Sequence, residues 1–175
     1  MTKLLLFITL FCGQIVFGQN NQLTKSQLLR ILKGSIKQDN SGKVLIDSNP
    51  WVICNKDSSF YKSDTLRLCN DINYYYHSTC CDFIDWTFYK KDAFVLTRVQ
   101  ICKEPATASV ARNEDWFTVK VLKENKNLFL ETYNQGMLID RFKVISIDKV
   151  DNIGEPTEIT ELITLVRTGK MPLVP

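Results

Sequence analysis

Few residues in this chain have the type and setting that chemistry requires. The only histidine among 175 residues is His77, which ends the run Tyr74-Tyr75-Tyr76-His77. A zinc centre draws on about four nitrogen, sulfur or carboxylate ligands, and the chain has neither a second histidine nor a paired ligand spacing. A serine or cysteine nucleophile needs a positioned base. His77 is one candidate, but there is no Gly-x-Ser-x-Gly turn, and no papain-like setting surrounds a cysteine. Asp82 and Asp85 are three apart, which on a strand puts them on opposite faces, so they cannot flank one glycosidic bond. No glycine-rich loop is present to cradle a phosphate. The expectation is a non-enzyme, with no catalytic residue, no metal and no cofactor.

The cysteines are the remaining reactive groups, and the N-terminus decides what they become. Lys3, the apolar run Leu4 to Phe11 and the Val16-Phe17-Gly18 stretch before Gln19 have the three-part layout of a secretory signal. Crossing a bilayer takes about 20 apolar residues, and Gly13, Gln14 and Gly18 interrupt this run. Phe11 before Cys12 is also not the small residue that lipid attachment requires. The expected organisation is a signal peptide over 1–18 and one exported domain over 19–175. The destination is periplasmic, outer-membrane-associated or extracellular, with no integral membrane segment once the signal is removed. Cysteines 54, 69, 80, 81 and 102 then meet an oxidising compartment, where thiols become staples. Their full retention as buried thiols is the alternative.

Composition narrows the partners. The formal net charge is +3, one unit of it from Lys3, and basic residues are scattered among acidic ones. No basic field favours nucleic acid or an anionic membrane. No repeat, low-complexity tract or linker divides the chain, and about 157 residues suffice for one core.

The elements that position these side chains follow from hydrophobic period. Leu28, Leu29, Ile31 and Leu32 form an apolar face that predicts a helix over 24–33, stopped at Gly34. Eight short alternating or apolar runs follow, predicting strands at 43–47, 51–54, 65–69, 82–89, 94–102, 116–123, 128–133 and 138–147. Ile159, Leu162, Ile163 and Val166 fall on one helical face after Pro156 and predict a closing helix.

A turn at Lys91-Asp92 makes facing residues of the central hairpin sum to 183. Ile84 then faces Val99, Trp86 faces Thr97 and Phe88 faces Val95 on one side. Asp85 faces Arg98 and Cys81 faces Cys102 on the other. A Cys81–Cys102 disulfide is expected, because facing Cα atoms lie within reach of one. Among Cys54, Cys69 and Cys80 the sequence does not choose. Cys69 with Cys80 is the preferred pair, closing the Tyr74 to Tyr76 loop and leaving Cys54 as a buried thiol or an intermolecular partner. A second hairpin turning at Asn125-Lys126 sets Lys120 against Glu131 and Val121 against Leu130.

Eight strands in sequence order suggest an antiparallel up-and-down meander closed into a small barrel, since closure removes exposed edges. An open sheet packed by a helix is the alternative. Leu32-Lys33-Gly34-Ser35-Ile36 ahead of the first strand resembles the Leu-x-Gly-x-Trp opening of lipocalin-like domains, and the meander with a following helix is similar to theirs. The resemblance implies a mainly β calycin barrel of eight strands with a short N-terminal helix and a C-terminal helix. It also implies binding of a small apolar or amphipathic ligand in the barrel mouth. Trp86, Phe88, Val95 and Val121 are the candidate ligand-lining residues, although core filling explains such side chains equally well. The competing function is a cell-envelope accessory protein with a filled barrel and no ligand. Its partner would be an envelope protein met through Tyr74, Tyr75 and Tyr76, whose rings offer apolar area with polar tips.

Overall fold

The computed structural model of the chain describes residues 23–43, 45, 49–75, 79–151 and 159–170. Residues 1–18, expected as a signal peptide, and Tyr76 and His77 lie outside the described residues. So does most of the strand expected at 43–47, of which Lys43 and Leu45 are described and carry no strand.

Helix α1 (Lys25–Gly34) opens the domain. It starts where Thr24 accepts a hydrogen bond from the Gln27 amide at 3.2 Å and the Gln27 side chain accepts one from the Thr24 amide at 2.8 Å. Together these satisfy donors the first turn leaves open. Leu28 and Leu32, four apart on one face, are fully buried. The strands are β1 (Trp51–Cys54), β2 (Thr65–Cys69), β3 (Asp82–Lys90), β4 (Ala93–Gln100), β5 (Thr107–Ala108), β6 (Trp116–Glu124), β7 (Asn127–Asn134), β8 (Met137–Asp151) and β9 (Ile159–Lys170). A one-turn helix, α2 (Ser59–Lys62), joins β1 to β2.

Eight of the nine strands close into an antiparallel barrel in the order β3-β1-β2-β9-β8-β7-β6-β4, with β4 returning to β3 and β5 added outside β4. Two features depart from a meander in sequence order. First, β1 lies between β2 and β3, so the 70–81 connection must step across β1. Secondly, the residues expected as a closing helix form β9, which pairs β8 on one side and β2 on the other. Ile163 and Leu165 are alternate residues buried in the core, next in step to Arg167. The period is two, and the β-branched content of Ile-Thr-Glu-Leu-Ile-Thr-Leu-Val suits a pleated surface between two partners. The apparent helical face arose because the outer side also carries apolar residues, Leu162 and Val166, of which Leu162 is buried as well.

The β3–β4 hairpin turns at Lys91-Asp92, with Lys90 facing Ala93, but a bulge between Phe88 and Lys90 shifts the rest of the ladder by one residue. Phe83 faces Val99, Ile84 faces Arg98, Asp85 faces Thr97, Trp86 faces Leu96 and Phe88 faces Phe94. The extra residue at Tyr89 lets both strands offer their more apolar sets inward, Ile84, Trp86 and Phe88 against Phe94 and Leu96. Asp85 and Arg98 therefore do not pair. The β6–β7 hairpin sets Lys120 against Glu131 and Val121 against Leu130.

Cys81 and Cys102 are bonded, with Cα atoms 5.2 Å apart, just beyond the last ladder pair Asp82–Gln100. The second disulfide is Cys54–Cys80, with Cα atoms 5.9 Å apart, in place of the expected Cys69–Cys80. Strand order explains the exchange, since Cys54 ends β1 opposite Phe83, close to where the chain enters β3 from Cys80. Among the described residues Cys69 is the free thiol, fully buried opposite Val52 on β1, and burial pushes its pKa up to about 11.

Candidate functional site

The two ends of the barrel are built differently. At one end α1 inserts Leu28 and Leu32 into the core cluster beside Trp51, whose Nε1 donates to the Leu32 carbonyl at 3.5 Å. Inside, Trp51, Ile53, Leu68, Phe88, Val121, Leu130 and Phe142 fill the lumen. A small barrel packed by its own side chains is a core and not a channel.

The other end keeps a pocket of about 170 Å³. Its apolar wall is a series of nearly parallel rings. Trp86 stacks on Phe94 at 4.5 Å with 20° between planes, and Phe94 stacks on Phe117 at 5.2 Å with 7°. Phe60 from α2 meets Trp86 edge-on at 6.4 Å. The Trp86 indole is 1% exposed and its Nε1 has no hydrogen-bond partner.

Charged side chains complete the pocket in two compensated pairs. Arg167 is almost fully buried; its Nε donates to Asp140 at 2.8 Å, and its other nitrogens donate to the carbonyls of Ser63 at 2.7 Å and Phe60 at 2.9 Å. Its guanidinium also lies 5.2 Å from the Phe142 ring centre. Arg98 sits at the rim, half exposed, donating from Nη1 to Asp115 at 3.2 Å and from Nε to the Tyr61 hydroxyl at 3.3 Å. The buried Asp115 also accepts from the Arg112 amide at 3.0 Å. Bulges place these groups. The β7–β8 ladder shifts between Thr132 and Tyr133, and the β8–β9 ladder shifts between Arg141 and Phe142, beside the inward-turned Asp140 and Arg167.

Of the four residues expected to line a ligand site, Trp86 lines this pocket. Phe88 and Val121 are buried in the packed core. Val95 faces Thr87 and Trp116, and its neighbours Phe94 and Leu96 take the inward positions, a direct result of the Tyr89 bulge. Phe94, Asp115, Asp140 and Arg167 belong to the site without having been singled out in the sequence. Their signal was the period of two: Arg167 continues the inward step from Ile163 and Leu165, and Asp140 precedes Phe142 and Val144 in the same way.

The tyrosine segment has a structural part. Tyr75 packs against the outer cluster of Val52, Cys80 and Phe83, and its hydroxyl donates to the Arg67 carbonyl at 2.9 Å. Desolvation raises its pKa. Tyr74 is half-buried and meets Tyr75 edge-on at 5.0 Å. The segment that steps across β1 thus covers Val52, which points away from the lumen yet is 1% exposed.

Among the described residues no group of three or more His, Cys, Asp and Glu is placed to hold a metal ion. No described helix is long and apolar enough to cross a membrane. No protein-family model matches the chain, and neither does any curated protein or any solved structure.

Proposed function

We propose that the protein is an exported, lipocalin-like binding protein that takes a small amphipathic ligand in the open mouth of its barrel. The observation that carries this is the mouth pocket itself, where an aromatic wall and charged side chains surround about 170 Å³ at the end α1 leaves open. Sites for drug-sized ligands run to about 300–1,000 Å³, so the ligand is small. Larger depressions lie outside the barrel, such as one of about 590 Å³ lined by Asp57, Asp82, Phe83, Gln100 and Ser109 and one of about 500 Å³ lined by Leu128, Ile145 and Ile147, but neither has a wall of stacked aromatic rings. Two disulfides favour maturation in an oxidising compartment after removal of residues 1–18.

The test is a thermal-shift and native mass spectrometry screen of fragment-sized amphipathic compounds against the mature protein and Leu96→Trp, which fills the pocket. Binding by the parent that Leu96→Trp abolishes supports the proposal. A screen in which nothing binds, or in which Leu96→Trp binds equally well, refutes it.

The closely filled remainder of the lumen favours a second reading, an envelope accessory protein acting through its surface. With the Tyr75 hydroxyl engaged, Tyr74 is the described member of the tyrosine run left to meet such a partner. Loss of a reproducible envelope partner in Tyr74→Ser is the outcome that supports it.

A further inference from the structure

On the outside of the barrel, β8 presents an isoleucine to solvent. The β8–β9 ladder shifts between Val144 and Ser146, and Ile145, the residue between them, is 52% exposed. Bulges re-aim side chains, and a single exposed apolar residue is ordinary on a folded protein. Ile145 does not stand singly. With Leu23, just ahead of α1, and the half-buried Ile147 it lines a groove of about 500 Å³, over the buried Leu128 and Val144. Leu23 and Ile147 also line a neighbouring groove of about 690 Å³ that runs along α1 past Ile31. Both volumes fall within the range of small-molecule sites, about 300–1,000 Å³, and contiguous apolar surface with a polar rim marks such sites.

The lining restricts what fits. The first groove has aliphatic walls with no aromatic side chain and no carboxylate, and its charged members are Lys126 at the β6–β7 turn and Lys143 on β8, with Asn127 and Ser146 beside them. Carboxylates nearby are engaged: Glu124 and Glu131 pair with Arg141, and Asp148 accepts from the Ser146 hydroxyl at 2.7 Å. In the second groove Glu161 faces Lys149 across the β8–β9 ladder, and Arg30 adds a further cation. The excess of positive charge is therefore concentrated at the Lys126 and Lys143 end. A cationic ligand is repelled there, and a flat ring finds no aromatic face to stack on. A lysine ammonium is a point charge on a flexible stem that meets an anion without demanding one geometry. An anionic head on a saturated chain matches both the charged end and the aliphatic run.

We propose that this outer groove is a second binding site, independent of the mouth pocket, and that it takes a free single-chain amphiphile with an anionic head, such as a medium-chain carboxylate. The head meets Lys126 and Lys143, and the chain lies over Ile145, Leu23 and Ile147 toward Ile31. The recessed shape suits one chain and not a bilayer surface, which apolar side chains must project to reach: Ile145 is exposed, but Leu23, Ile31 and Ile147 are half-buried.

The experiment follows the isoleucine methyl signals of a chain beginning at Gln19 by two-dimensional NMR while decanoate, decyltrimethylammonium and butyrate are titrated, each below its micellar concentration. Decanoate is expected to shift the Ile145 and Ile147 signals saturably. Decyltrimethylammonium, which has the chain with the opposite charge, and butyrate, which has the head without the long chain, should each bind at least about ten-fold more weakly, the scale of one hydrogen bond to a charged group or of two to three buried methylenes. The double variant Lys126→Gln with Lys143→Gln should lower decanoate affinity about ten-fold with its thermal midpoint kept, and Ile145→Asn, a change at an exposed position, should lower it as well. Equal binding of decanoate and decyltrimethylammonium overturns the anionic class, and unchanged decanoate affinity in both variants overturns the groove. Sedimentation with phosphatidylglycerol vesicles without binding of free decanoate overturns the proposal in favour of a membrane surface. Shifts at Phe94 and Phe117 in place of Ile145 and Ile147 overturn it too, while leaving the mouth pocket standing as a binding site.

Discussion

Asp85 lies on the outer side of β3 between Val52 and Thr97, and the bulge at Tyr89 has taken away the arginine that a simpler register would have set beside it. One carboxylate oxygen, Oδ1, is sealed from water with no hydrogen-bond partner, and desolvation raises the pKa from 3.8 to about 6. Between those two values the folded state binds the proton more tightly than the unfolded chain does. The stability that this group contributes is therefore fully present below about pH 4 and is lost as pH rises through 6. Asp85→Asn should gain about 1–3 kcal/mol over the parent at pH 7 and nothing at pH 4. Urea unfolding at both pH values checks this, and a gain independent of pH would contradict it. Arg167 makes the opposite case, a buried cation whose partners are all supplied. Arg167→Met removes the charge that compensates Asp140 and should cost about 3–5 kcal/mol, much of it recovered in the double variant Arg167→Met with Asp140→Leu.

At the level of elements, the 70–81 connection and the two disulfides form one device. The connection steps over β1, Tyr75 covers Val52, and Cys54–Cys80 ties the end of β1 to the entry of β3. Replacing Cys54 and Cys80 by serine should cost about 3 kcal/mol on the chain-entropy estimate for a closed loop of this size, read as a lower urea midpoint. The same arrangement predicts the thiol count. Without reductant, a chain beginning at Gln19 should take up no alkylating agent when folded and one per chain when unfolded, at Cys69. Two or more additions would contradict the disulfide pattern. The β6–β7 hairpin was legible because turn, charge pairing and apolar pairing agree on one register. In β3–β4 the same three signals agreed on a register that one bulged residue displaced, although the turn and the Cys81–Cys102 bond survive.

For the molecule as a whole, β9 is the strand that closes the barrel, because it alone joins β8 to β2. A chain ending at residue 158 would leave both neighbours with open edges and Phe142, Leu66 and Leu68 without the Ile163–Leu165 face. Such edges template further pairing. The truncated protein should elute as aggregates in size-exclusion chromatography, where the chain that keeps β9 gives a defined species. Closure also sets the division between α1, which seals one end, and the opposite mouth, where bulged strands turn Asp140 and Arg167 inward. The site is therefore a property of the closed molecule, with lining side chains drawn from α2, β3, β4, β6, β7, β8 and β9.

What the sequence determined by itself is what local chemistry controls: the presence of α1, the positions of seven barrel strands, the turns at Lys91-Asp92 and Asn125-Lys126, the mainly β class, and Trp86 as an inward residue. Alternation, capping and turn preference each act over a few neighbouring residues and can be read one segment at a time. Tertiary structure decided the rest. It made 159–170 a strand because two unpaired edges were waiting for it, paired Cys54 with Cys80 because β1 lies beside β3, and put Arg98 at the pocket rim through one extra residue at Tyr89. Each of these depends on which distant strand becomes a neighbour. That choice is made by the free energy of closing the whole sheet, which no single segment carries.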